Sequence, residues 1–152
     1  MIKATLDKGD KDTGQGEYTV ELVQWNDSFV IGYQEVDEDH QKLVGMLNAL
    51  NTSISEQDTH EVVGKVLNDL LSYTAWHFRH EERLMQTFRY PDYVAHKKEH
   101  GALIQQATEL QTKFLAAEQE LTQDVMDFLK RWLVHHILQT DKAMADFLRQ
   151  KV

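Results

Sequence analysis

Residues 63–84 read VGKVLNDLLSYTAWHFRHEERL, and the spacing inside this stretch decides the fold. Its regular positions are Val63, Leu67, Leu70, Thr74, His77, Glu81 and Leu84, in steps of four and three. Such steps lay one stripe along one face of an α-helix. His77 and Glu81 stand on that stripe where a packed helix should carry leucine. Being four residues apart, they point the same way.

Three other segments step alike. The first is predicted to begin at Asp37 as an N-cap, with Glu38 and Asp39 favoured by the helix dipole. It continues through His40, Leu43, Leu47, Leu50 and Ile54. Arg89-Tyr90-Pro91-Asp92 ends the second, because proline cannot continue a helix. The third runs through Tyr93, His96, His100, Leu103, Ala107, Leu110 and Phe114. The fourth runs through Val125, Leu129, Trp132 and His136, then Asp141, Met144 and Leu148. Short connections make neighbours antiparallel, so the expected fold is all-α: an antiparallel up-down-up-down four-helix bundle. Residues 18–36 lack helical spacing and are read as an extended N-terminal arm, with Trp25, Phe29 and Ile31 packing across the bundle. Residues 1–17 are read as a flexible polar tail, and 18–152 as one domain. One step is irregular. His136 to Asp141 is five residues, about 140° round a regular helix. Either Asp141 reaches in from the flank or the helix widens in a π-type turn.

Composition narrows the function. The 152 residues carry a formal net charge of −9, which argues against nucleic-acid or anionic-membrane partners. With no cysteine there is no disulfide, thiolate metal site or iron–sulfur cluster, in keeping with a cytoplasmic protein. No run approaches the ~20 apolar residues of a membrane span. The first residues show no apolar signal-peptide core, and the chain reads as soluble and unexported.

The seam polar residues are His40, His77, Glu81, His96, His100, His136 and Asp141, drawn from all four segments. A lone seam histidine is usually a satisfied core residue, but seven polar groups on four helices need stronger compensation. Metal supplies it, and seven ligands are too many for one ion. Five imidazoles, two carboxylates that each bridge, and a bridging oxide or hydroxide leave two six-coordinate ions one bond short. That open position suits an exogenous ligand. Mixed imidazole and carboxylate donors suit iron; zinc, preferring four ligands, would leave donors unused.

Four motifs carry a family resemblance. They are Asp37-x-x-His40, then His77-Phe78-Arg79-His80-Glu81-Glu82, then His96-x-x-x-His100, then Trp132-Leu133-x-x-His136-Ile137-x-x-x-Asp141. Over roughly residues 25–145 the chain resembles the bacterial hemerythrins. The resemblance implies reversible O2 binding at a non-heme di-iron centre with an oxo or hydroxo bridge, for storage, delivery or sensing. It implies that His96, His100 and His136 hold the six-coordinate iron and that His40 and His77 hold the other. Glu81 and Asp141 would bridge, and Asp39 stands where the family often has glutamine. Leu43, Phe78, Trp132, Leu133 and Ile137 resemble the family's apolar oxygen pocket.

The chain is expected to be a monomer and not an enzyme, serving an O2-consuming enzyme or a signalling partner. Two other uses of the same site stay open: a di-iron oxidase or peroxidase, and an iron- or nitric-oxide-responsive regulator. Ferritin-like di-iron enzymes draw mostly on glutamates, whereas this chain offers two candidate acids. His60, His80 and His135 fall off the seam and are read as surface or supporting residues. Glu82, about 100° round from Glu81, is read as a solvated face. Trp25 and Trp132 are read as packing residues.

Overall fold

The computed structural model describes residues 21–151, and the tail expected over 1–17 lies outside them. Four helical rods follow a short arm. They are α1 (Gln34–Ser55), α2 (His60–Thr87), α3 (Tyr93–Leu115) and a composite fourth rod. That rod is α4 (Gln123–His135), a π-helical turn over His136–Asp141, and α5 (Lys142–Arg149). Among the described residues there is no strand, and no helix is long and apolar enough to cross a membrane.

The arm makes one 3₁₀ turn at Asp27–Phe29, with Asn26 capping it. Trp25 stacks on Phe29, their ring centres 5.3 Å apart, and Phe29 and Ile31 are buried, as expected of the arm's apolar residues. The start of α1 differs from expectation. The helix begins three residues before Asp37, and no side chain caps it at Tyr33. Asp37 instead accepts hydrogen bonds from the backbone N–H groups of Ile31 and Gly32, at 2.8 and 3.1 Å. Its carboxylate thus ties the arm to the first turn of α1. Gly32 has φ +92°, and an added Cβ would lie 2.6 Å from the Arg149 guanidinium. Arg149 donates to the Ile31 carbonyl, so glycine is required where the arm meets the end of the chain.

Two other helix starts carry side-chain caps. Thr59 and Thr122 cap α2 and α4 by accepting from the N–H of Val62 and Val125. The ends of α1, α2 and α3 share a device the spacing does not announce. Gln57, Arg89 and Ala117 adopt φ of 57°, 57° and 58°. In each case the next N–H reaches back five residues: Asp58 to Ser53, Tyr90 to Met85, Glu118 to Lys113. These are Schellman closures built on residues other than glycine.

The bundle holds its contents in layers. One end is hydrocarbon, with Leu50, Val63, Leu67, Phe114, Leu121 and Met126 all buried. The opposite floor is also apolar, formed by Val36, Met85, Met144, Ala145 and Leu148. The polar seam residues lie between these layers, near the starts of α1 and α3, the end of α2 and the π-helical turn.

Candidate metal centre

His40, His77, Glu81, His96, His100, His136 and Asp141 converge, and none is more than 3% exposed. The π-helical turn brings in the last of them. Its extra residue lets His136 and Asp141 share a face that a regular five-residue step would split. Of the two routes open from sequence, the helix takes the widened turn.

The two carboxylates divide their oxygens between two sides. Glu81 Oε1 lies 3.0 Å from His100 Nε2 and 3.3 Å from His96 Nε2. Asp141 Oδ1 lies 3.0 Å from both His96 Nε2 and His136 Nε2. The second oxygens face the other way. Glu81 Oε2 is 3.0 Å from His77 Nε2 and 3.4 Å from His40 Nε2, and Asp141 Oδ2 is 2.8 Å from His40 Nε2. Two donor sets result, one of five residues (Glu81, His96, His100, His136, Asp141) and one of four (His40, His77, Glu81, Asp141).

Several of these short contacts are poorly aligned as hydrogen bonds. His40 Nε2, His77 Nε2, His96 Nε2, His136 Nε2, Glu81 Oε2 and both Asp141 oxygens are buried without a hydrogen-bond partner. Buried polar atoms left this way are costly. Metal–ligand bonds of about 2.1 Å at right angles put neighbouring donors about 3 Å apart, the separation seen here. The donor set therefore fits metal.

Three further carboxylates brace the imidazoles from outside. Asp39 Oδ2 is 2.8 Å from His77 Nδ1, Glu82 Oε2 is 2.9 Å from His100 Nδ1, and Glu99 Oε1 is 3.0 Å from His136 Nδ1. An Nδ1–H donated outward leaves the Nε2 lone pair facing the centre, which fixes the tautomer. Thr140 donates its hydroxyl to Glu99 at 2.7 Å and steadies that brace. Aromatic plates fix ring planes as well. Phe78 stacks on His100 at 3.8 Å and Trp132 on His136 at 4.7 Å.

Electrostatics are strongly coupled. Burial lowers the pKa of His40, His77, His96 and His136, but the adjoining carboxylates overcome it. His77 and His136 are pushed up to about 10 and His96 to about 9. His40 rises for the same reason. Burial works against ionised Glu81 and Asp141, yet the histidines hold both below the usual carboxylate range. Without metal, protons serve as the counter-charge, so metal loading must expel them and is favoured as pH rises.

An apolar cavity of about 50 Å³ lies beside this cluster. Leu43, Phe78, Trp132 and Leu133 line it, together with Leu47, Leu70, Thr74 and Leu103. Ile137 is fully buried and is not part of that lining.

The off-seam histidines fall where expected, at the surface or in support. His135 is exposed, and His60 stacks on Phe114 and bonds its carbonyl at 2.7 Å, away from the centre. His80 supports Asp39, with its Nδ1 2.6 Å from Asp39 Oδ2. Glu82 corrects the solvated-face reading, since it turns toward α3 and meets His100. Glu99 was not singled out by spacing at all. A usable signal exists: Asp39, Glu82 and Glu99 each adjoin a seam residue (His40, Glu81, His100) and brace a histidine on the next helix.

Residues 31–148 match the family description "Hemerythrin HHE cation binding domain". This chain belongs to the hemerythrin family. The bacteriohemerythrin of Stenotrophomonas maltophilia is 34% identical over 125 residues, covering 82% of this chain and 80% of that protein. The bacteriohemerythrin of Methylococcus capsulatus is 40% identical over 106 residues, covering 70% and 80%. A wild-type hemerythrin crystal structure superposes with a TM-score of 0.78 at 36% identity, covering 84% of this chain and 98% of that one. The hemerythrin bundle and its cation-binding character thus agree with the buried donor cluster.

Proposed function

We propose that this hemerythrin binds O2 reversibly at two iron ions. His96, His100 and His136 would hold one ion, His40 and His77 the other, with Glu81 and Asp141 bridging. The observation that carries the reading is the division of both carboxylates between a three-imidazole side and a two-imidazole side. The bound iron pair, bridged by oxide or hydroxide, would supply two electrons to O2 and take them back on release. The protein's part is to orient and to exclude. Asp39, Glu82 and Glu99 hold three imidazoles in the donor tautomer, while Phe78 and Trp132 fix two ring planes. Leu43, Phe78, Trp132 and Leu133 keep the adjoining space apolar, which disfavours the water and protons that promote irreversible oxidation.

The lining of that space favours a carrier over an oxidase or peroxidase. It is apolar apart from Thr74 and offers no general acid or base to act on a substrate. The same proposal takes the chain as a cytoplasmic monomer serving an O2-consuming or signalling partner.

Anaerobic reduction of the iron-loaded protein followed by air tests the carrier reading. We expect an absorption change on admitting air that bleaches under argon and returns through several cycles. One-way passage to the ferric form would overturn reversible binding in favour of enzymatic or sensory use. Leu133→Ala should speed that one-way oxidation several-fold, and an unchanged rate would remove Leu133 from the protective wall.

A further inference from the structure

Every residue of the inner cluster is buried, so an arriving ion must cross a wall of side chains. Behind His100 and His136 the bracing stops at Glu82, and at Glu99 with Thr140. Behind His77 it continues. Asp39 Oδ2 contacts both His77 Nδ1, at 2.8 Å, and His80 Nδ1, at 2.6 Å. His80 Nε2 in turn lies 3.0 Å from Glu35 Oε1. Side-chain exposure falls along this line from 60% at Glu35 to 16% at His80, 10% at Asp39 and 1% at His77. Nowhere else among the described residues does an imidazole outside the centre join a carboxylate behind one of its histidines.

The surroundings suit a cation. Glu35 and Glu38 line a surface depression whose one basic residue, Arg149, is already paired with Asp146. Tyr73 donates its hydroxyl to Asp39 Oδ1 at 3.3 Å, and the Trp76 ring lies 5.3 Å from that of His80. The line also ends on the side of the cluster with two imidazoles rather than three, where more of the coordination must be completed from outside.

We propose that Glu35, His80 and Asp39 form an outer docking site for a divalent transition-metal ion. Through it, iron reaches the His40–His77 side of the centre. The inference rests on the two-iron reading above. Carboxylate with imidazole is a donor pair suited to such ions. On docking, coordinate bonds form from the Glu35 carboxylate and His80 Nε2, any proton on that nitrogen leaves to solvent, and no electrons are transferred. Transfer inward then exchanges the Glu35–metal bond for one from Asp39, which lies 2.8 Å from His77 Nδ1.

The test uses metal-free, full-length protein mixed rapidly with Co2+. Absorption of bound cobalt is followed in time, and the final stoichiometry comes from metal analysis. Wild type should take up two ions. His80→Ala and Glu35→Gln should each load about 10-fold more slowly, reaching the same two ions and the same final cobalt spectrum. Asp69→Asn removes another exposed acid from α2, away from the depression, and should load at the wild-type rate. Wild-type rates in both His80→Ala and Glu35→Gln would overturn the docking site. Equal slowing in Asp69→Asn would overturn it too, assigning the effect to overall charge. A stoichiometry below two in the His80 variant would make His80 part of the centre and also overturn the proposal. If His80→Ala does not fold, the exposed Glu35→Gln decides alone. Fewer than two ions in wild type would overturn the two-iron reading, and this inference with it.

Discussion

Leu67 and Glu81 occupy the same stripe of α2 about four turns apart, and both are fully buried. Leu67 shares an apolar cluster with Leu50, Val63 and Phe114, and burial there is favourable by itself, roughly 1.5–3 kcal/mol for each large side chain. Around Glu81 the neighbours are histidines and a second carboxylate, and burial is unfavourable until each charge finds a partner. One end of the bundle therefore folds on hydrocarbon alone. The other end carries a deficit that metal removes.

The largest expected effect is the response of the two ends to metal. At free metal near 1,000 times Kd the ion adds about 4 kcal/mol, or roughly 8–16 °C in Tm for a domain of this size. Chelation should lower Tm by that order. It should also raise amide exchange first at 34–43, 77–85, 93–100 and 136–145, leaving 47–71 protected. Uniform exchange across both ends would break the comparison.

Substitution sharpens it. Leu67→Ala should cost about 2–5 kcal/mol in denaturant titration, equally with and without metal. His77→Ala should leave a sub-stoichiometric metal content, and two tightly held ions in that variant would contradict its assignment. Next come the braces. Asp39→Asn, Glu82→Gln and Glu99→Gln should each weaken metal binding about 10–100-fold in chelator competition. The smallest effect tests the turns at the apolar end. Ala117→Gly relieves a left-handed residue and should stabilise metal-free protein by up to about 1 kcal/mol, because the Cβ penalty there disappears.

The rods and the seven converging side chains were legible because both obey helical spacing. Val63, Leu67, Leu70, Thr74, His77, Glu81 and Leu84 share one face whatever their chemistry. Other features escaped that filter. Asp37 looked like a helix cap, yet the helix begins earlier because the arm's own N–H groups take the carboxylate. The Schellman closures at Gln57, Arg89 and Ala117 lack the glycine that normally signals them. The braces sit one residue off the stripe, about 100° round, where spacing reads solvent. In the bundle that direction faces the next helix. Asp39 and Glu99 precede their seam residue on helices running one way, and Glu82 follows its own on the helix running back. All three therefore turn in the same sense about the bundle axis.

That circuit of support is open at one corner. Its next step, one residue past His136, is the hydrocarbon Ile137, and His40 Nδ1 has no hydrogen-bond partner. His40 is thus, like His96 with its own unpartnered Nδ1, an imidazole whose donor strength no outer anion raises. When acid or a competing chelator loosens the assembly, His40 should be among the first contacts to yield, on the side where an incoming molecule needs room.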